Sequence, residues 1–339
     1  MTGSAMAKNP KRAPHFTVVI PWHRDRENLR RAIASLEQQV HRDFETVIVC
    51  NGPGAAEISG LQADPALRGC SFVAIREADA NRARNAGIAN ARGRWIAFLD
   101  ADDRFLPGKL TAVRAAIERD GADLWISRGL RIRSTGTGTP YPPQLLGEGE
   151  NISEFLFCRG ANCSASAIVV RRAVAASVGF TDGLPKFQDS DFLIRIGAAG
   201  HRIAMIADPL YEWTDTAEAG RVSRGRDYER HREWARGLTP PITSKAFHAF
   251  VARRIAQHRL TTAFWPSLGE IARGWRRGGV PTVETLLFAA RGLLPERLAR
   301  AALDLKARLD GVRCVQDTAT TRRLSAPLGA DKSGATGDR

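Results

Sequence analysis

Trp95-Ile96-Ala97-Phe98-Leu99-Asp100-Ala101-Asp102-Asp103 is the stretch on which the reading of this chain turns. Five apolar residues run without interruption into three carboxylates within four positions. A short apolar run of this length reads as a buried strand. The acidic residues then stand at its carboxyl end. Three like charges so close repel one another, and a hard divalent cation would relieve them, because Mg²⁺ and Mn²⁺ favour carboxylate oxygens. The plainer reading is that these aspartates cap the helix beginning near Pro107, since aspartate is common at helix starts. Their place directly after the apolar strand favours the metal.

Working outward, strands and helices alternate. Phe16 to Ile20 is a β-branched strand stopped by Pro21, and Glu27 to Gln38 follows with Leu29, Ile33 and Leu36 at helical spacing. Phe44 to Val49 is a second strand, closed by the turn Asn51-Gly52-Pro53-Gly54. Ser71 to Ile75 is a third strand, Asn81 to Ala91 a small-residue helix, and Pro107 opens a helix through Ile117. A further strand is expected over Ala165 to Val170 and a helix from Gln188 to Ala199. The class is therefore α/β, with a mostly parallel, Rossmann-like sheet covered by helices on both faces. Ligands of such sheets sit beyond the carboxyl ends of the strands. Those ends carry Pro21-Trp22-His23, Asn51 and Asp100 to Asp103, so polar groups from separate strands should converge.

The 339 residues divide into a flexible start (1–15), a catalytic domain (16–226), a basic helical region (227–310) and a disordered tail (311–339). Net charge is +14. Residues 221–310 hold 18 Lys and Arg against 8 Asp and Glu, so much of the excess lies in the helical region. Helices with Trp265, Trp275, Phe288 and paired leucines between arginines suit peripheral contact with an anionic membrane, or a wet face packed on the domain. No nucleic-acid module is evident, so no nucleic-acid partner is expected. The start has no apolar leader and no run reaches a bilayer's span. The expected location is the cytoplasm, or the inner face of its membrane. The five cysteines (50, 70, 158, 163, 314) show no paired framework and read as reduced.

Several ordered motifs together resemble the inverting family 2 glycosyltransferases with the GT-A fold. These are Val18-Val19-Ile20-Pro21, the strand ending at Asn51-Gly52, Ala83-Arg84-Asn85-Ala86-Gly87-Ile88, Ala91-Arg92-Gly93, the acidic stretch, and Gln188-Asp189-Ser190-Asp191 with Leu193 and Arg195. The resemblance spans about residues 16–224. It implies transfer of a sugar from a nucleotide-diphosphate sugar to a hydroxyl of a glycan or lipid-linked acceptor, with inversion and with Mn²⁺ or Mg²⁺, in cell-surface polysaccharide synthesis. It makes Asp102 the main metal contact, with Asp100 near the metal and the ribose. Arg84 stands near the diphosphate, and Pro21, His23 and Asn51 join the donor site. Asp189 aligns with the catalytic base. Gln188, Asp191 and Arg221 take acceptor or secondary places. Cys50 and Gln188 stand where the family favours acidic residues, and no phosphate-site histidine follows Tyr211; Arg221, Ser223 and Arg224 are the substitutes. Those departures keep a non-catalytic donor-binding scaffold in view. A nucleotidyltransferase is disfavoured, because the turn after the first strand, Pro21 to Arg26, has no glycine.

Overall fold

The computed structural model describes residues 13–132, 138–214, 227–238 and 241–291. The expectations for residues 1–12, for Arg221, Ser223 and Arg224, for a helix over 296–309, for Cys314 and for the tail lie outside the described residues.

Strand β1 (Phe16–Trp22) is buried along its whole length, as a parallel strand covered on both faces must be. It pairs in parallel with β2 (Phe44–Asn51) on one side and β4 (Trp95–Phe98) on the other; β2 pairs in parallel with β3 (Ser71–Ile75). Helix α1 (Arg26–Glu37) turns Leu29, Ala32, Ile33 and Leu36 inward, and Asp25 caps it by accepting the Asn28 N–H. Helix α2 (Ala80–Asn90) begins at Asp79, whose carboxylate accepts the N–H groups of Asn81 and Arg82. It lies so close to β1 that a Cβ on Gly87 would stand 2.2 Å from Val19 Cγ1. Glycine is what lets this helix sit against the strand.

The parallel run ends at β4. Beyond it the elements are β5 (Arg104–Phe105), α3 (Lys109–Arg119), β6 (Leu124–Ile132), β7 (Gly138–Tyr141), α4 (Ile152–Phe157) and β8 (Ile168–Arg171). Then come α5 (Arg172–Val178), α6 (Gln188–Ala198) and β9 (Ile203–Thr214). The sheet runs β3-β2-β1-β4-β8-β6-β9-β5, with β7 on β6. Strand β8 is antiparallel to both β4 and β6, β7 is antiparallel to β6, and β6 is parallel to β9. The sheet is thus mixed, which alternation of strands and helices alone does not foretell. The strand expected over Ala165 to Val170 splits into a 3₁₀ turn, Ala165–Ala167, and β8. That turn tucks Ser166 beneath the end of β4.

Helices α7 (Tyr228–Gly237), α8 (Ser244–Phe250), α9 (Phe264–Arg276) and α10 (Thr282–Arg291) follow. They share the sheet domain's hydrophobic core. Trp234 stacks on Phe187 at 4.9 Å between centroids, and Phe250 meets Phe157 edge-on at 5.0 Å. Each aromatic pair of this kind adds about 0.5–1.5 kcal/mol beyond the area it buries.

Candidate active site

The ends of β1, β2 and β4 open on a cleft of about 830 Å³. Pro21, His23, Asn51, Arg84, Asp100, Asp102 and Gln188 all line it. Sequence separation between them reaches 167 positions; the parallel strands bring them to one edge. Asn51 is nearly buried and donates from Nδ2 to Trp22 O at 3.1 Å, tying β2 to β1. His23 Nδ1, when protonated, donates to Asn51 O at 3.2 Å. Cys50, one residue back along β2, points into the core, and burial pushes its thiol up to about 11. The cleft wall at this strand end is therefore formed by Asn51 rather than by the cysteine.

The acidic residues do not simply repel. Buried Arg84 donates from Nη2 to Asp100 Oδ1 at 2.7 Å and from Nη1 to Gln188 Oε1 at 3.0 Å. Burial opposes its charge, yet Asp100 and Asp189 hold its pKa above the usual arginine value. Asp103 is buried. Beneath it stands Lys109, wholly interior, with Nζ donating to Ser127 Oγ at 3.1 Å and Ser166 O at 2.7 Å. Desolvation pulls Lys109 down to about 7, while Asp103 works to keep it charged. Ser166 Oγ in turn accepts the Asp100 N–H at 3.0 Å. Arg84 pairs with Asp100 and Lys109 lies near Asp103, so part of the repulsion that argued for a metal is met from within; all three aspartates line the cleft, Asp102 and part of Asp100 being the exposed ones.

That pair suits a hard divalent cation in one particular way. Mg²⁺ and Mn²⁺ sites often use one or two carboxylates and complete their shell with water and substrate phosphates. Among the described residues no cluster of three or more His, Cys, Asp or Glu side chains forms a cage. Asp100 and Asp102 therefore fit a cation that a diphosphate helps to hold.

Asp189 opens α6 next to Arg84. Its Oδ1 is buried without a hydrogen-bond partner, and Ala165 N–H is the backbone donor to its carboxylate. Desolvation, opposed by Arg84 and helped by the nearby Asp100, pushes its carboxyl up to about 7. A carboxylate so placed is a candidate proton acceptor near neutral pH. Gln188 anchors itself by donating from Nε2 to Leu184 O at 3.0 Å.

Asp191, expected in an acceptor or secondary place, is not among the residues that line the cleft. It is buried and its oxygens are taken by Thr181 Oγ1 (2.7 Å), Arg195 Nε (2.8 Å) and Trp234 Nε1 (3.0 Å). Its place two residues past Asp189 on the helix turns it toward α7, where it pins that helix to α6. Sequence reasoning also missed Lys109, Ser166, Asp79 and Trp213. Asp79 and Trp213 line the cleft, and Asp79 Oδ2 accepts the Gly183 N–H at 2.7 Å. Only Asp79 carried a local signal, as the N-cap before Ala80-Asn81-Arg82.

The chain also resembles known proteins. The family model for glycosyl transferase family 2 matches residues 17–179. The amylovoran biosynthesis glycosyltransferase AmsB of Erwinia amylovora is 27% identical over 249 residues, covering 71% of this chain and 83% of AmsB. The O-antigen biosynthesis protein RfbC of Myxococcus xanthus is 29% identical over 63% of this chain but only 17% of its own length. Among solved structures, S. aureus TarS 1–349 in complex with UDP-GlcNAc superposes with a TM-score of 0.58 at 17% identity, covering 93% of both chains. That likeness establishes the fold as GT-A-like.

Proposed function

Given that the chain belongs to glycosyl transferase family 2 through residues 17–179, we propose that it moves a sugar from a nucleotide-diphosphate donor to an acceptor hydroxyl in one inverting step. The observation that carries the proposal is the pairing of two unlike carboxylate sites across one arginine. Asp100 and Asp102 face the cleft, Asp189 follows the cleft-lining Gln188 with one carboxylate oxygen buried, and Arg84 stands near both.

In this reading Asp189 accepts the proton of the acceptor hydroxyl. The hydroxyl oxygen forms the new bond to the anomeric carbon as the bond from that carbon to the diphosphate oxygen breaks. The electron pair leaves with the nucleoside diphosphate. Arg84 compensates the charge that gathers there. Asn51 and His23 fix the strand ends against which the nucleoside lies. A divalent cation at Asp100 and Asp102 would neutralise the departing diphosphate. One carboxylate base suffices because a nucleoside diphosphate leaves readily once its charge is met. The likeness to AmsB and RfbC, proteins of amylovoran and O-antigen biosynthesis, supports a bacterial surface polysaccharide as the product class.

A panel of nucleotide sugars with Mn²⁺ or Mg²⁺, read by release of nucleoside diphosphate, tests this. One donor is expected to turn over, and chelation of the metal should stop it. Absence of metal-dependent turnover with every donor, with or without lipid-linked acceptors, would leave a donor-binding scaffold.

Lipid-linked acceptors would require an approach to the membrane, and the C-terminal helices offer one. Trp265, Trp275, Val283 and Leu286 are exposed, the first by 76%. Arg273, Arg276 and Arg277 are exposed beside them. The acids of these helices are turned inward, Glu270 onto Arg232 at 2.7 Å and Glu284 onto Arg253 at 2.6 Å. Apolar anchors beside exposed cations suit an anionic interface. No described helix is long and apolar enough to cross a bilayer. The full chain is expected to float with phosphatidylglycerol vesicles, and Trp275→Ser with Leu286→Ser to reduce this severalfold. Failure of the unaltered chain to co-float rules the contact out.

A further inference from the structure

Lys109 stands where a lysine is costly twice over. It is the first residue of α3, at the positive end of that helix's dipole, and it is wholly buried. Packing alone would be served as well by an apolar side chain, since replacing buried ionic groups by apolar ones of similar volume is often neutral or stabilising. The amine is nevertheless closely held. Nζ donates to Ser166 O at 2.7 Å and to Ser127 Oγ at 3.1 Å, and it lies over the rings of Phe105 at 4.5 Å and Tyr211 at 5.2 Å. Tyr211 is itself pressed against Gly129, where a Cβ would stand 2.5 Å from the ring.

What the amine holds is the 3₁₀ turn Ala165–Ala167. Lys109 takes the carbonyl of Ser166, and Ser127 Oγ donates to Ala167 O at 3.4 Å. From this fixed turn Ser166 Oγ accepts the Asp100 N–H at 3.0 Å, and Asp100 O accepts the Asp103 N–H at 3.0 Å. The acidic stretch therefore hangs on the 3₁₀ turn by its backbone. That anchor occupies neither carboxylate oxygen of Asp100. The same turn touches the rest of the site: Ser164, just before it, lines the cleft and donates to Tyr211 Oη at 3.2 Å, and Ala165 N–H meets the Asp189 carboxylate. Neither Lys109 nor Ser166 lines the cleft, so whatever they do to a substrate passes through Asp100 and its neighbours.

We propose that Lys109 and Ser166 are positioning residues for sugar transfer: Lys109 locks the 3₁₀ turn through the Ser166 carbonyl, and the Ser166 hydroxyl fixes the backbone of Asp100, so that the carboxylates of the acidic stretch are presented to a cation and diphosphate at one set height. This rests on the glycosyltransferase reading and on Asp100 and Asp102 as the carboxylates that would hold the cation. Such a cation takes most of its shell from water and phosphate and tolerates little error in the few protein oxygens it uses. A misplacement of about 1 Å at a reacting centre can cost about 10²-fold in rate, so a buried anchor under the strand end has a direct consequence for transfer. The charge on Lys109 strengthens its hold on the Ser166 carbonyl, because hydrogen bonds from a charged donor are shorter and stronger than neutral ones.

The test uses the full chain, unaltered and as Ser166→Ala and Lys109→Met, with two readouts besides turnover. One is hydrogen exchange of the backbone amides of Asp100 and Asp103. The other is calorimetric binding of Mn²⁺ together with inorganic diphosphate. Ser166→Ala is expected to speed exchange at Asp100 about tenfold while the amides of β4 keep their protection. It should weaken Mn²⁺ with diphosphate by about fivefold, the order of one lost hydrogen bond. Lys109→Met frees the whole turn, so it should do both and lower kcat by about 10²-fold with whichever donor turns over. Its acid limb of kcat/KM should also move above the value near 7 expected from Asp189, because the Ala165 N–H goes with the turn. Either exchange or Mn²⁺–diphosphate affinity left unmoved in folded Ser166→Ala overturns the proposal. So does a Lys109→Met variant that melts lower yet binds and turns over as before, since that makes the lysine a structural residue only. Should Lys109→Met fail to fold, Ser166→Ala decides alone, as alanine fills nearly the same buried space. Failure of the unaltered protein to bind Mn²⁺ and diphosphate sinks the cation reading and this role with it; faster exchange in the variants would then mark the anchor as structural.

Discussion

Asp189→Asn is expected to lower kcat by about 10³-fold while leaving donor affinity within about twofold, because a positioned general base contributes on the order of 10²–10⁴. Asparagine keeps the shape of the side chain and removes its ability to take a proton. The buried Oδ1 without a partner is the atom that matters, since nothing on the protein competes for it. The pH dependence follows from the same burial. Desolvation raises the Asp189 carboxyl to about 7, so kcat/KM should climb with unit slope below that pH and level off above it. Stability should run the other way. A carboxyl whose folded pKa lies above its ordinary value near 4 is favoured in its protonated form by folding. The native state then binds more protons between about pH 4 and 7, and stability falls as pH rises through that window. Asp189→Asn removes this loss. The variant should therefore melt higher than the unaltered protein at pH 8 and alike at pH 4. Thermal melts at both values, with a rate–pH profile, check the account. A variant that keeps a tenth of the activity would remove Asp189 from the base role.

The first strands were legible in the sequence as apolar runs, but β1 continues through Pro21 to Trp22 and β2 through Cys50 to Asn51, two residues past the ends expected at Ile20 and Val49. Parallel pairing of β1, β2 and β4 then carries their ends to one cleft. The mixed half of the sheet was not legible. Whether β8 runs with or against β4 depends on contacts between residues about 75 positions apart, which no local pattern records. The same limit hid Lys109. On α3 it reads as an ordinary helix lysine, and only the fold places Ser127, Ser166 and Asp103 around its amine. It also left the place of Asp191 open between an acceptor and a secondary role. Two aspartates two positions apart look alike in sequence, but on a helix they point some 200° apart. Asp189 lies beside Arg84 and Asp191 meets Trp234.

Arg84 joins the two ends of the site, and its removal should show that they act as one electrostatic unit. Arg84→Met leaves Asp100 without its 2.7 Å partner and Asp189 without the nearest opposing charge. Breaking a buried pair by deleting one partner typically costs about 3–5 kcal/mol, because the other charge is left uncompensated. The urea midpoint should fall accordingly. The protein can avoid part of this cost by keeping a proton on Asp189. With Arg84 gone, burial and the Asp100 charge both raise that carboxyl, and only the Ala165 N–H still works the other way. The acid limb of kcat/KM should then move above pH 7, and the rate at neutral pH should drop about 10²-fold even though the base itself is intact. Arg84→Lys separates charge from geometry. An ammonium can pair with Asp100, so most of the stability should return. It cannot also reach Gln188 through a second parallel arm, as the guanidinium does at 3.0 Å. The start of α6 would lose its tie to α2, and with it the alignment of Asp189 against the acceptor. Stability restored without activity is therefore the expected signature of Arg84→Lys. An acid limb that stays near pH 7 in Arg84→Met would mean that Asp189 is tuned by burial alone, with the arginine serving Asp100 only.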